Sequence, residues 1–175
     1  MINKVLIATD GSEHAGEAVI IGADIASKYD ADVLLVHVLL RHELSDDLKR
    51  MAQIEHLADE RGEPLATIVA AVPSGRYPAV TLTQRAAEPD PMLNAIAKQV
   101  LDMAEDTVRK HGVKNVTKLV EDGKVVNIIL DLIESENIDL VVVGTRGLSA
   151  TASLLLGSTS HKLSHLSPVT CVTVR

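Results

Sequence analysis

The sequence predicts an α/β domain built on an open, mostly parallel five-stranded sheet with helices on both faces. Three observations carry that prediction. Short, strongly aliphatic runs alternate along the chain with stretches whose apolar residues recur at helical spacing. The runs, among them Val33-Leu34-Leu35-Val36 and Leu140-Val141-Val142-Val143, lack polar alternation, which suits parallel strands covered on both sides. Turn residues, Asp10-Gly11-Ser12, Gly112 and Asp122-Gly123, punctuate the alternation.

Val5 to Thr9 reads as the first buried strand. After the Asp10-Gly11-Ser12 turn, Ala15, Ala18, Val19, Gly22 and Ala26 mark one face of a helix. Asp32 to Leu40 is the second strand, its apolar run interrupted only by His37. From about 41 to 90 the character changes: Leu44, Leu48, Met51 and Leu57 suggest an amphipathic helix ending near Arg61-Gly62. Beyond it, Pro64, Pro73, Pro78 and Pro89 define a Pro-rich loop, so this segment reads as an insertion within one domain spanning 1–175, a surface decoration or else a lid or partner surface. Pro91 suits the first position of the next helix, with Leu93, Ile96, Ala97, Val100, Leu101, Ala104 and Val108 as its buried stripe. Val116 to Val120 is a strand, and Glu121-Asp122 falls in the turn after it. Val125, Val126, Ile129, Leu132 and Ile133 mark a helix, Ile138 to Val143 a strand. A short helix runs from Gly157 to about Leu166, and Val169 to Val174 closes the chain as a strand at a sheet edge.

Composition narrows the function. With 175 residues, two tyrosines and neither Phe nor Trp, the core is aliphatic. A nucleotide base bound here would rest on aliphatic side chains and be read by backbone polar groups. A net charge of -7 argues against sequence-independent binding of nucleic acid, which needs a positive surface. The single cysteine, Cys171, has no intramolecular partner and reads as a small buried hydrophobe. The opening apolar run is too short for a secretion signal and no segment has the length of a membrane span, so a cytoplasmic protein is expected.

The chemistry concentrates near the C-terminus. Directly after Leu140-Val141-Val142-Val143 come Gly144-Thr145-Arg146-Gly147, nine residues, then Gly157-Ser158-Thr159. Glycines let backbone N–H groups approach an anion, and a helix N-terminus attracts negative charge. Ser158 and Thr159 carry hydroxyls that can donate to a phosphate or cap the helix. In an open parallel sheet, ligands bind at the carboxyl ends of strands where the strand order reverses. Asp10, the residues after Val38 and the Gly144 loop all leave from such ends.

These residues resemble the universal stress protein family, and within it the ATP-binding branch. The resemblance covers nearly the whole chain, from Val5-Leu6-Ile7-Ala8-Thr9-Asp10-Gly11-Ser12-Glu13 through Val36-His37-Val38 to Pro168-Val169. Its sharpest part is the family's pattern of Gly, two residues, Gly, nine residues, Gly, then Ser or Thr, which Gly144, Gly147, Gly157 and Ser158 match without a gap. The resemblance implies a Rossmann-like fold of the adenine nucleotide alpha hydrolase-like type. It implies that Gly144, Gly147, Gly157, Ser158 and Thr159 hold phosphates and ribose, that Ala8, Thr9 and Asp10 line the base and ribose side, and that Val38 addresses adenine through its backbone. Thr145 and Arg146 complete the nucleotide-binding set, Arg146 either donating to a phosphate or pointing to water. The implied ligand is ATP, or AMP or ADP, with Mg²⁺, and the implied assembly is a homodimer through the C-terminal strand. The departure from the family is the long segment at 41–90.

The leading expectation is a nucleotide-dependent regulatory module acting on a protein partner in a stress response. The alternatives are a slow ATPase or nucleotide-transferring enzyme of the same fold, or a nucleotide-independent interaction protein. No Gly-Lys-Ser/Thr phosphate loop or catalytic-loop signature is present, and Asp10 is the obvious metal-side carboxylate, so only weak hydrolysis is expected. Asp10 could instead cap the helix after it. His161 and His165 stand four apart with no third ligand apparent, and read as solvated or helix-end residues; His37 reads as a satisfied core or crevice residue. A receiver domain lacks its acidic cluster, and a dinucleotide fold lacks its glycine fingerprint after the first strand.

Overall fold

The computed structural model describes residues 1–39, 91–147 and 157–175; the insertion expected at about 41–90 lies outside the described residues. The elements are β1 (Lys4–Ala8), α1 (Glu13–Tyr29), β2 (Asp32–Leu39), α2 (Pro91–Lys110), β3 (Val116–Asp122), α3 (Val125–Ser135), β4 (Leu140–Gly144), α4 (Ser158–Leu166) and β5 (Thr170–Val174). The five described strands form one sheet in the order β3-β2-β1-β4-β5, and every pairing among them is parallel. The β5 edge position matches the expectation. Glu121 and Asp122 belong to β3, where they pair with Val38 and Leu39, instead of starting the turn. Ile138 is buried but precedes β4, and Val169 likewise precedes β5.

Alternation along the strands divides the core in two. Val5 and Ile7, Val33 and Leu35, and Leu140 and Val142 share a cluster with Ala18, Val19, Ala23 and Ala26 of α1 and with Leu101, Ala104 and Val108 of α2. The intervening Leu6, Leu34, Val36, Val38, Val141 and Val143 pack with Ile129 and Ile133 of α3 and Leu163 of α4. Helices therefore cover both faces. Each fully buried aliphatic side chain is worth about 1.5–3 kcal/mol of transfer free energy. With no aromatic in either cluster, stability here comes from many such modest contributions.

The small residues of α1 are a packing requirement. A Cβ on Gly22 would lie 2.6 Å from Ile7 Cδ1, so this helix rests directly on β1. Ser12 caps α1, its Oγ accepting from the Ala15 N–H at 3.4 Å, and Asp30 ends the helix in the left-handed conformation at φ 51. At the sheet's amino end, the Asp139 carboxylate accepts from the Asn3 N–H at 2.6 Å and the Lys4 N–H at 3.1 Å, tying the entry of β4 to that of β1. Those two N–H donors hold its carboxyl below the usual range. On the opposite edge Lys118 of β3 meets Asp102 and Glu105 of α2 at 2.5 and 2.6 Å, a partly exposed network that guides helix onto strand more than it stabilises.

Gly144 closes the centre of the fold. A Cβ there would sit 2.8 Å from the His14 carbonyl carbon and 2.9 Å from the Ala15 nitrogen, both backbone atoms of α1. Gly144→Ala is expected to cost about 1–3 kcal/mol through overpacking, read as a lower urea midpoint at unchanged slope. An unaltered midpoint would contradict the close approach of β4 to α1.

Candidate functional site

The strand order reverses between β1 and β4, since β1 continues through α1 to β2 on one side while β4 lies on the other. The loops leaving the carboxyl ends of these two strands diverge there, and a crevice of about 210 Å³ opens between them. It is lined by Ala8, Thr9 and Asp10 at and after the end of β1, Val38 from β2, Gly144 at the end of β4 with Thr145, Arg146 and Gly147 after it, and Gly157, Ser158 and Thr159 at the start of α4. All eleven residues singled out in the sequence thus meet at one place. Five further residues line it that sequence reasoning missed: Ala15, Val36, Val125, Val143 and Ser160.

The polar side is rigidly built. The Thr145 N–H donates to the Val174 carbonyl at 2.6 Å, and the Thr145 carbonyl accepts from the Gly157 N–H at 2.6 Å and from Ser160 Oγ at 2.9 Å. These bonds fix the β4 exit, the α4 entry and the end of β5 relative to one another. Gly157 occupies the N-cap position of α4, so neither Ser158 nor Thr159 caps the helix, and no side-chain cap bond is made. The first N–H groups of α4 are therefore of the kind that attracts an anion. A Cβ on Gly157 would stand 3.0 Å from the Thr145 carbonyl oxygen, and one on Gly147 would stand 2.5 Å from Asp10 Oδ2. At both positions the space that a side chain would fill is already contested.

Asp10 is not the helix cap. Its Oδ1 accepts from the Ser12 N–H at 3.0 Å, folding the turn, while Ser12 itself caps α1. The carboxylate remains on the crevice wall, opposite Gly147. Two polar atoms are left over. Among the described residues, Thr145 Oγ1 and Arg146 Nε are buried without a hydrogen-bond partner, and Thr145 is only 6% exposed. A buried unpaired donor is costly, so this pair marks where an acceptor group from outside the chain would be satisfied. The lining fits a nucleotide in its chemistry: it combines the uncapped start of α4 with the aliphatic side chains of Ala8, Val36, Val38, Val125 and Val143.

The sequence profile described as the Universal stress protein family matches residues 1–175. The chain belongs to the universal stress protein family. Its relatives include "Universal stress protein YxiE" of Bacillus subtilis, 26% identical over 179 residues that cover 100% of both chains. Among solved structures, a universal stress protein in complex with cAMP superposes with a TM-score of 0.62 at 22% identity, covering 99% of this chain and 97% of that one. The universal stress protein from Archaeoglobus fulgidus in complex with dAMP gives 0.57 at 15% identity, covering 100% and 98%. These likenesses confirm the Rossmann-like α/β fold.

Within this universal stress protein domain, three other candidates resolve plainly. His161 and His165 lie exposed on α4 with their rings edge to face, 4.7 Å between centroids, and among the described residues no group of three metal-ligating side chains occurs. Cys171 is half-buried on β5, where burial pushes its thiol up and keeps it protonated. His37 is 3% exposed, and its Nδ1 lies 3.0 Å from the Thr9 carbonyl, which fixes the Nδ1–H tautomer because a carbonyl only accepts. Burial pushes this imidazole below its usual range, against the opposing influence of the Thr9 bond and the Asp10 charge. It is a satisfied buried residue, as its sequence context suggested, and its bond to Thr9 holds the β1 exit.

A pH dependence follows. Below the ordinary histidine value of about 6.5 the unfolded chain takes up a proton that folded His37 refuses. Its stabilising contribution is thus complete above that value and declines as pH falls toward the depressed folded value. His37→Asn, which can keep an N–H for the Thr9 carbonyl but cannot titrate, is expected to flatten the fall in melting temperature between about pH 7 and about pH 5.5. An equally steep fall in the variant would remove His37 from the account.

Proposed function

We propose that this chain binds an adenine nucleotide, ATP with Mg²⁺ among them, in the crevice between β1 and β4, and acts as a cytoplasmic nucleotide-dependent regulatory module in a stress response. The observation that carries this reading is the pair of buried, unpartnered donors, Thr145 Oγ1 and Arg146 Nε, set inside the glycine motif at an uncapped helix N-terminus. The cAMP and dAMP complexes of the two structural relatives support the same class of ligand. In this reading Gly144, Gly147, Gly157, Ser158 and Thr159 hold the phosphate side. Ala8, Thr9 and Asp10 flank the ribose, and the Val38 backbone faces the base. Asp10 supplies the carboxylate toward a phosphate-bound Mg²⁺.

The partner side of the reading rests on β5. This edge strand pairs with β4 alone among the described strands, and its carbonyl at Val174 holds the crevice loop through the Thr145 N–H. A second copy pairing along β5 would cover that edge and lie one hydrogen bond away from the nucleotide loop. Sedimentation at micromolar concentration is expected to give the mass of two chains; a single-chain mass would remove the dimer from the reading.

Nucleotide-stripped protein titrated with ATP and Mg²⁺ in a calorimeter is expected to saturate near one ATP per chain. Gly157→Val, which places atoms against the Thr145 carbonyl, is expected to weaken binding by more than about tenfold while the circular dichroism spectrum keeps its α/β shape. Unchanged affinity in the variant would sink the site assignment. Steady accumulation of ADP over many turnovers would replace the regulatory module with an enzyme.

A further inference from the structure

We propose that the outer face of α4 is a second binding site, in which His161 and His165 chelate one divalent transition-metal ion of the Zn²⁺, Ni²⁺ and Cu²⁺ class, with water filling its remaining positions. Neither histidine lines the crevice, so the inference is independent of the nucleotide reading.

Residues four apart on a helix are neighbours on its surface. Here the rings meet, with centroids 4.7 Å apart and planes inclined at 65°. With metal–nitrogen bonds of about 2.0–2.1 Å, two imidazoles on one ion hold their ring centres about 4.5–5.2 Å apart as the angle at the metal runs from square to tetrahedral. The observed spacing falls inside that range, so the backbone need not move. The edge-to-face pair becomes a chelate when one ring turns about χ2, a torsion whose energy well is broad in histidine. Both residues are exposed, so an ion reaches the rings directly and keeps its water on the outer side.

The platform beneath the pair is fixed. Ser160 and Leu163 of α4 are buried, Leu163 in the core cluster that α3 also joins. Ser160 Oγ donates to the Thr145 carbonyl at 2.9 Å, Ser164 Oγ donates to the Ser160 carbonyl at 2.7 Å, and the His161 N–H donates to the Gly157 carbonyl at 2.9 Å. Little order is left for an ion to impose on the main chain, which favours binding. His165 lies in the last turn, at the negative end of the helix dipole, where a cation is stabilised. Lys162 is exposed, and its flexible stem carries the ammonium group out into water. The ligand atoms set the class of ion: imidazole nitrogen suits Zn²⁺, Ni²⁺ and Cu²⁺, whereas Mg²⁺ and Ca²⁺ take oxygen.

The test is a calorimetric titration of the untagged full chain, first freed of metal with a chelator, with Zn²⁺. His161→Gln, His165→Gln and the double variant His165→Gln, Leu166→His are run beside the wild type. The wild type is expected to bind one ion per chain, with a melting temperature that rises as Zn²⁺ is added. Each single variant is expected to weaken that binding by about tenfold or more, since one imidazole cannot chelate. The double variant restores the number of histidines but sets the second about 140° around the helix from the first, and is expected to stay weak. All three positions are exposed, so the variants are expected to keep the circular dichroism spectrum of the wild type. Bound Cu²⁺ is expected to show coupling to two imidazole nitrogens in its electron paramagnetic resonance spectrum, and to one in either single variant. Mg²⁺ is expected not to compete with Zn²⁺. Undiminished Zn²⁺ affinity in both single variants would overturn the site, as would wild-type affinity in the double variant or no binding at millimolar Zn²⁺. One ion shared between two chains would overturn the single-chain chelate.

Discussion

The site depends on one backbone-to-backbone approach, that of the end of β4 to the first turn of α1. There is no room for a Cβ at Gly144, where the nearest atoms are main-chain atoms of His14 and Ala15. That contact brings the Asp10 turn and the Gly144–Gly147 loop to face each other, close enough that Gly147 meets Asp10 Oδ2. A larger residue at Gly144 would act as a wedge, and the two halves of the crevice would separate. The glycines of the motif thus have distinct physical reasons: Gly144 holds the two sides together, Gly157 lets α4 start against the Thr145 carbonyl, and Gly147 leaves space for a carboxylate.

Around that contact, the polar chemistry is organised by the Thr145 main chain. Its N–H and carbonyl join β5, α4 and the β4 exit, while its side chain is left without a partner. Main-chain bonds maintain the shape of the loop, and the Thr145 hydroxyl takes no part in them. His37 serves the facing wall in the same manner, fixing the Thr9 carbonyl from behind so that the β1 exit keeps its course.

Much of this was legible in the residues. Period-two alternation is invisible in a strand buried on both faces, yet the unbroken runs at Val33–Val36 and Leu140–Val143 signalled such burial, and β1, β2 and β4 are the three interior strands. The motif spacing located the crevice because glycines at strand and helix ends are local requirements. The missed lining residues are of another kind. Val36 and Val143 look like any core valine, and only the register that places Val36 two residues before Val38 reveals their shared face. Val125 and Ala15 enter the crevice through the docking of α3 and α1, a tertiary fact with no local mark. Ser160 had a signal, a hydroxyl one turn into a helix beginning at glycine, but its value lies in a bond to Thr145 that spacing alone does not disclose. Ending β3 at Val120 undervalued pairing: Glu121 and Asp122 have poor strand propensity but lie beside Val38 and Leu39 of a central strand.

An all-parallel sheet also gives the molecule a direction. Every described strand starts at the same end as Met1 and finishes at the end that carries the crevice, where Val174 is already bonded to Thr145. A label, tag or fused domain attached beyond Arg175 therefore leaves from beside the crevice loop, whereas one attached ahead of Met1 leaves from the far pole. The carboxyl terminus is the place for a reporter meant to sense the crevice, and the amino terminus is the place for a tether meant to leave it undisturbed.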